Sequence, residues 1–467
     1  MSAKFVLEAL VVLGCIVMGT RSSGVGVGVW GGLGTFVLVF IFREAPGEPP
    51  AGAVAIILAV VTAAAMMQAA GGIDWMVKVA AKVIEAHPRQ ITLIAPLTAF
   101  AFSIGAGTSN ILYPLLPVIY DVSYRNGIRP SRPLSVSVVQ SGVALAASPV
   151  SAAMAAMLTL TDTEQYNFGL TQILAVTIPA CLAGIVVTAL VANRMGKELA
   201  EDPEVQEKVA AGLIPAPGRA RTAVKQPVTG AAGTGTDAPE EAASAHLTAT
   251  KEGRNAAVAF LIGVLVIVLL GLFPDLRPSF ESDGKSTPLD MTSTIVMVMF
   301  VAAVAIIFLG KPEVKKVPEM SVFKAGMMSA IALFGIAWMT STFIEAHETF
   351  IVDTVGGWVN DYRFIFALAV FLVAALTTSQ STATRTMVPI GLAAGLAPGL
   401  VTGMWAGAIG GVYALPTGGP QIAAANFDLS GTTKLGTKLF DHSYFVPMLV
   451  LSFTTVVVGA VIGAVFF

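Results

Sequence analysis

Three runs of this chain, Ala256–Phe273, Ile295–Leu309 and Phe364–Leu376, contain no charged residue. Stretches this apolar have no stable place on a water-facing surface, and they approach the ~20 residues that a helix needs to cross a bilayer. The rest of the chain agrees. Only 12% of its 467 residues are charged and 55% are hydrophobic, against roughly 25% charge in a soluble domain. The expected fold is all-α: a polytopic, sheet-free bundle of membrane helices, each satisfying its own backbone polar groups. A net charge of −2 offers no basic surface to nucleic acid. Cys15 and Cys181 lie in apolar spans without closely spaced partners and read as inert packing thiols. No Ala-x-Ala site follows the first apolar segment, so Leu7–Met18 reads as a retained helix.

Between 196 and 255 the composition changes. A charged helical stretch, GKELAEDPEVQEKVAAG, leads into a Pro-, Gly-, Ala- and Thr-rich run without apolar periodicity. The span reads as a flexible cytoplasmic linker between two membrane units, 1–195 and 256–467. Each unit divides into six segments in the same order: 5–19, 24–42, 51–70, 90–124, 135–160 and 169–193, then 256–273, 291–310, 322–344, 363–396, 400–430 and 443–467. Both fourth segments carry a polar run followed by proline (GAGTSNILYP and TTSQSTATRTMVP), which suggests re-entrant hairpins. Both fifth segments are broken by proline among small residues (AASPVSAA and ALPTGGPQIAAA).

With five crossings per unit, the basic loops fall on one side: Arg21, Lys78/Lys82/Arg89, Arg125/Arg129/Arg132, the linker, Lys311/Lys315/Lys316/Lys324 and Lys434/Lys438. The opposite loops hold Asp162 and Glu164, the acidic 275–290 stretch, and Glu345/Glu348/Asp353. The positive-inside rule makes the first side cytoplasmic. An odd number of crossings turns the second unit upside down, which gives two inverted repeats with both termini outside.

Irregular backbone in a membrane is tolerated where it lines a cavity, and matched interruptions in two inverted halves point to a transport site. The candidate substrate-binding groups are therefore the tips Thr108, Ser109, Asn110 and Ser379, Gln380, Ser381, Thr382, with the breaks at Ser148 and at Thr417 and Gly418. Helix N-termini at such tips suit carboxylates, although single Ser, Thr and Gly residues also serve helix packing. Arg385 follows the second tip directly, and a membrane-embedded arginine costs at least about 2.5–3.5 kcal/mol. With no acid near it in sequence, a substrate carboxylate held in bidentate fashion would partner it; the alternative is snorkelling to water. His87, His246, His347 and His442 show no metal-ligand spacing, and His347 reads as a solvated residue among outer acids. The glycines of GVGVGVWGGLG (24–34) lack the context of a phosphate loop and read as close helix packing.

Several stretches resemble the anaerobic C4-dicarboxylate antiporter (Dcu) family: QAAGGIDWMV (68–77), LPVIYDV (116–122), GIRPSRPLSVS (127–137), ASPVSAA (147–153), GKELAEDPE (196–204), GIAWMTSTF (335–343), SGTTKLG (430–436) and HSYFVP (442–447). The resemblance spans the chain apart from the linker. It implies a multi-pass protein of the bacterial inner membrane that exchanges or takes up fumarate, succinate, malate and aspartate, with no cofactor. The lipid bilayer and a small dicarboxylate are the implied partners, and a homo-oligomer is compatible with the sequence without being required by it. The first tip departs from the family: Gly107-Thr108-Ser109-Asn110 stands where Gly-Thr-Gly-His is common. Ser-Asn there is similar to sodium-coupled dicarboxylate carriers. That leaves Na+ or H+ open as coupling ion, with a sodium site at Ser109 and Asn110, and leaves sodium-coupled di- or tricarboxylate uptake as the alternative to exchange. An intramembrane hydrolase would need a Ser–His or paired-Asp arrangement that the sequence lacks. An anion channel would need no matched hairpins.

The charge assignment yields a labelling test. In a background lacking Cys15 and Cys181, single cysteines in 275–290 should react with an impermeant thiol reagent in intact cells, and a cysteine at 219 should be protected. Ready labelling at 219 would sink the inverted scheme.

Overall fold

The computed structural model describes residues 3–22, 25–163, 165–217, 250–282, 285–416, 418–436 and 441–467. The first unit contains α1 (Ala3–Ser22), α2 (Gly26–Phe36, continued by a wider turn to Ile41) and α3 (Ala51–Ala69). Then follow α4 (Gly72–Ala86), α5 (Ile91–Ala106), α6 (Leu116–Arg125), α7 (Ser131–Val143), α8 (Ala152–Thr161) and α9 (Leu170–Ala192). A short α10 (Pro203–Ala210) precedes the second unit: α11 (Lys251–Leu272), α12 (Met291–Gly310), α13 (Ser321–Asp361), α14 (Phe364–Thr377), α15 (Gln380–Ala393), α16 (Pro398–Ala408), α17 (Gly419–Phe427) and α18 (Phe445–Phe466). Among the described residues, eight helical spans are long and apolar enough to cross a membrane.

The expected segments form, with their interruptions where proline and polar runs placed them. Three features differ from the sequence reading. The basic stretch Lys78/Lys82 is not a loop but the solvent face of α4, whose Met76, Val77, Ala80 and Ile84 are buried at helical spacing. A two-stranded antiparallel ribbon pairs β1 (Ser279–Ser282) with β2 (Lys285–Pro288), so the chain is not wholly sheet-free. Short extended segments paired side by side satisfy each other's backbone.

The third difference is the linker. Residues 196–217 are docked onto the bundle, and only 218–249, including Arg219 and His246, lie outside the described residues. Leu199, Val205 and Ile214 are buried. Arg129 pairs with Asp202 at 2.5 Å, and Arg132 donates to Glu198 at 2.8 Å and to the Met195 carbonyl at 2.9 Å. Lys208 donates to the Ser430 carbonyl at 3.2 Å, Lys434 pairs with Glu204 at 2.7 Å, and Tyr124 donates to the Pro215 carbonyl at 2.6 Å. Residues that charge assigns to the cytoplasmic face thus meet one another across the two units.

Packing follows the six-segment order. The α1–α2 contact in the first unit corresponds to α11–α12 in the second, and α2–α13 corresponds to α12–α3. Helices α9 and α18 pack on each other between the units. In the first hairpin α5 and α6 pack together and both rest on α4; in the second, α14 packs on α15. The glycine stretch does serve close packing: a Cβ at Gly28 or Gly31 would overlap the backbone of α13 near Ile331 and Gly335.

The docked strap generates a prediction. Arg132 is 8% exposed, and Arg132→Ala would leave two carbonyls and Glu198 without their donor. The loss should be about 2–3 kcal/mol in denaturant or thermal unfolding of the purified protein. Asp202 has its pKa lowered: desolvation opposes the shift, and the Arg129 hydrogen bond and charge outweigh it. Its contribution is therefore present above the unfolded carboxylate range and lost as the pH falls through about 4 and below.

Candidate functional site

The two hairpin tips follow one backbone path. After α5, Gly107 is left-handed (φ +67°) and Thr108 is extended, its hydroxyl accepting the Asn110 N–H at 3.2 Å. After α14, Thr378 is left-handed (φ +49°) and Ser379 is extended, its hydroxyl accepting the Thr382 N–H at 3.2 Å. Each tip therefore reverses with one left-handed residue and restarts under a hydroxyl cap. A Cβ at Gly107 would come within 2.7 Å of the Val150 carbonyl oxygen, so glycine is needed for both its φ and its space. At the second restart, the first-turn amides of α15 have no intrahelical acceptor by position, and the helix dipole adds positive potential there.

Both tips open onto one cavity of about 250 Å³. Gly107–Asn110 and Thr378–Ser381 line it, together with Val150 and Ser151 at the α7–α8 break, Val60 and Ala64 of α3, and Gly326 and Ser329 of α13. Every side chain named as lining it is neutral. Thr108, Ser109, Asn110, Ser379, Gln380 and Ser381 are thus brought together as the sequence expects. Thr382 is buried one position behind them and donates to the Ser379 hydroxyl at 2.9 Å.

The remaining candidates fall elsewhere. Ser148 does not line the cavity: it is fully buried, donates to the Ile104 carbonyl at 2.8 Å and so ties the break to α5. Its near neighbour Ser151 takes the lining position while donating to the Leu145 carbonyl at 2.6 Å. Gly418 starts α17 against α6 and α7 and does not line the tip cavity, its N–H donating to Gln421 at 3.0 Å. Thr417 lies outside the described residues.

Arg385 is 2% exposed and faces a second cavity of about 370 Å³, lined also by Thr159, Gln165, Tyr166, Ser341 and Glu345. Its Nη1 donates to the Ser329 carbonyl at 3.1 Å, its Nε has no hydrogen-bond partner, and no salt bridge to it occurs among the described residues. Burial rules out the snorkelling reading. Ser329, whose carbonyl accepts from the guanidinium, also lines the tip cavity, and the sequence reading missed it. Its only signal was the small-residue spacing Gly326-x-x-Ser329 within an apolar helix.

His347 is not solvated either. It lies in a kink of α13 (φ −127°, ψ 18°), 12% exposed at its side chain and hydrogen-bonded to the buried Glu8. His442 donates from Nε2 to the Ala414 carbonyl (3.1 Å) and so joins the start of α18 to the second broken segment. Both cysteines are free and buried.

Helices long and apolar enough to cross a membrane, around two hairpin tips that share one cavity, are the arrangement expected of a membrane transporter. The chain belongs to the family described as anaerobic C4-dicarboxylate membrane transporter, which it matches over residues 4–467. It is similar to the anaerobic C4-dicarboxylate transporter DcuB of Shigella flexneri, with 34% identity over 99% of both chains. It is also similar to the C4-dicarboxylate transporter DcuA of Wolinella succinogenes, with 31% identity over 98% of this chain and 99% of the other. Among solved structures, the Alcanivorax borkumensis YdaH transporter aligns over 99% of this chain and 98% of its own at a TM-score of 0.49 and 14% identity. The protein is a multi-pass protein of the bacterial inner membrane.

The tips differ in one testable respect. Gly107→Ala should destabilise the protein by at least about 1–2 kcal/mol, because a left-handed alanine is strained and crowds Val150. Thr378→Gly should stay within about 1 kcal/mol of wild type, relief of strain offsetting the freer unfolded chain. Thermal unfolding of the purified variants checks both.

Proposed function

We propose that the protein is a secondary transporter of C4-dicarboxylates, taking fumarate, succinate, malate and aspartate and working by exchange through alternating access. The observation that carries this reading is the meeting of two hairpin tips of one backbone design in a single cavity. One carboxylate would sit on the Gln380–Ser381 amides at the start of α15, and the other would face the Thr108–Asn110 tip. The family and the names of the relatives supply the substrate class. Inverted repeats would let the two hairpins change places relative to one fixed site, and the corresponding contacts of the two units support that picture.

Arg385 acts before the tips in this scheme. An unpaired guanidinium facing the second cavity attracts an anion, and the Ser329 turn stands between that cavity and the tips. The arginine thus captures one carboxylate on approach and releases it to the neutral tip cavity.

One observation favours a second reading, sodium-coupled uptake. Among the described residues no charged side chain lines the tip cavity, so a bound dianion gains from a cation close by, and Ser109 and Asn110 offer oxygen ligands. The two readings separate in proteoliposomes loaded with or without fumarate. Exchange requires internal fumarate for rapid uptake of labelled succinate and is indifferent to sodium. Sodium coupling requires the gradient and is indifferent to fumarate. In either case Arg385→Lys should weaken succinate transport roughly ten- to a hundredfold, the 1.5–3 kcal/mol of a charged hydrogen-bonded pair. Transport unchanged within twofold would remove Arg385 from the route.

A further inference from the structure

Away from both cavities, three segments bring Glu8, Glu44 and His347 together, with one ligand atom from each within 4.8 Å of the others. Glu8 comes from α1, Glu44 from the connection between α2 and α3, and His347 from the kink of α13. Two of the three stand on departures from regular backbone. Arg43 is left-handed at φ +63°, which turns the chain so that the Glu44 N–H donates to the Leu38 carbonyl at 3.1 Å. His347 itself breaks the helical φ/ψ of α13. Its ring is set by Phe5, edge-on at 5.0 Å, and by Phe343 at 5.1 Å.

Glu8 is fully buried, and only one of its oxygens is hydrogen-bonded, to the imidazole of His347. The other, Oε1, has no hydrogen-bond partner, with the Lys4 ammonium 3.8 Å away. Lys4 is engaged chiefly by Glu44 and is half exposed. A buried carboxylate oxygen without a hydrogen-bond donor is costly, and this carboxylate lies within 4.8 Å of a second carboxylate and an imidazole.

We propose that Glu8, Glu44 and His347 form a site for one divalent transition-metal cation with zinc-like ligand preference. One imidazole nitrogen and two carboxylate oxygens suit such an ion, whereas calcium and magnesium prefer all-oxygen shells with more ligands. Bonds of about 2.0–2.2 Å place donors around zinc roughly 3–4 Å apart, close to the spacing already present. The free Oε1 of Glu8 or a water completes the shell. Charge supports the exchange of occupants: two carboxylates with a neutral imidazole balance one divalent ion, and Lys4, being half exposed, can turn out to water as the ion takes its place. The ion would then tie α1 and the α2–α3 connection to the kink of α13.

The test uses the full-length protein, purified in detergent and stripped with a chelator, titrated with zinc and separately with magnesium. Wild type should bind about one zinc per chain saturably, with a rise in its thermal midpoint, and should not respond to magnesium. Glu44→Gln and His347→Gln, both at partly exposed positions, should weaken zinc binding about tenfold or more. Lys4→Met should bind at least as tightly as wild type, because its ammonium competes with the ion. No saturable zinc binding by the folded wild type, or equal affinity in both ligand variants, would overturn the site. A tenfold loss in Lys4→Met would overturn the exchange of occupants.

Discussion

Backbone groups inside a bilayer have no water to turn to, and this architecture depends on how its broken helices meet that constraint. At both hairpin tips and at the first break the work falls to a hydroxyl, and at the second break to the Gln421 amide. Thr108 and Ser379 cap the two restarts, Ser151 caps α8 while reaching back to Leu145, and Ser148 bonds the end of α5. These bonds hold the hairpin tips and the first break in fixed relation. Beside these caps, Ser109, Asn110, Gln380 and Ser381 line the tip cavity, where the proposed substrate would sit.

Electrostatics divides the interior into two regions. The tip cavity has a neutral lining, whereas Arg385 places a buried guanidinium on the second cavity. Putting a full positive charge in the cradle itself would hold a dianion strongly and slow its release. In the proposed site, dipoles and hydroxyls would hold it more gently, and transport needs release as much as binding. Separation of the arginine from the tips by the Ser329 turn fits a molecule that must let its substrate go.

Much of this was legible in the sequence because hydropathy and proline act locally. The segment order, both hairpin tips and the close packing of the 24–34 glycines follow from runs a few residues long, although their partner α13 does not. Elements that depend on distant partners were not legible. The stretch 196–217 reads as linker because it is charged and proline-containing, and only the bundle surface shows that Leu199, Val205 and Ile214 have somewhere to go. Ser148 and Ser151 are equivalent in sequence, and which one turns inward is decided by the carbonyls of Ile104 and Leu145. His347 and Glu8 are 339 residues apart, so no spacing rule could pair them. In Lys78 and Lys82, the same charges that fixed a side of the membrane hid the amphipathic face of α4.

Helix α13 joins these separate features. Its first half lines the tip cavity at Gly326 and Ser329, its middle holds Arg385 through the Ser329 carbonyl, and its later turns line the second cavity at Ser341 and Glu345. It then reaches the Glu8–Glu44 cluster at His347. Along the way Gly335 meets Gly28 with no side chain between the two backbones, so α2 and α13 cannot separate slightly or slip without losing close contact. The kink at His347, the Ser329 carbonyl that accepts from Arg385 and part of the tip-cavity lining therefore belong to one element.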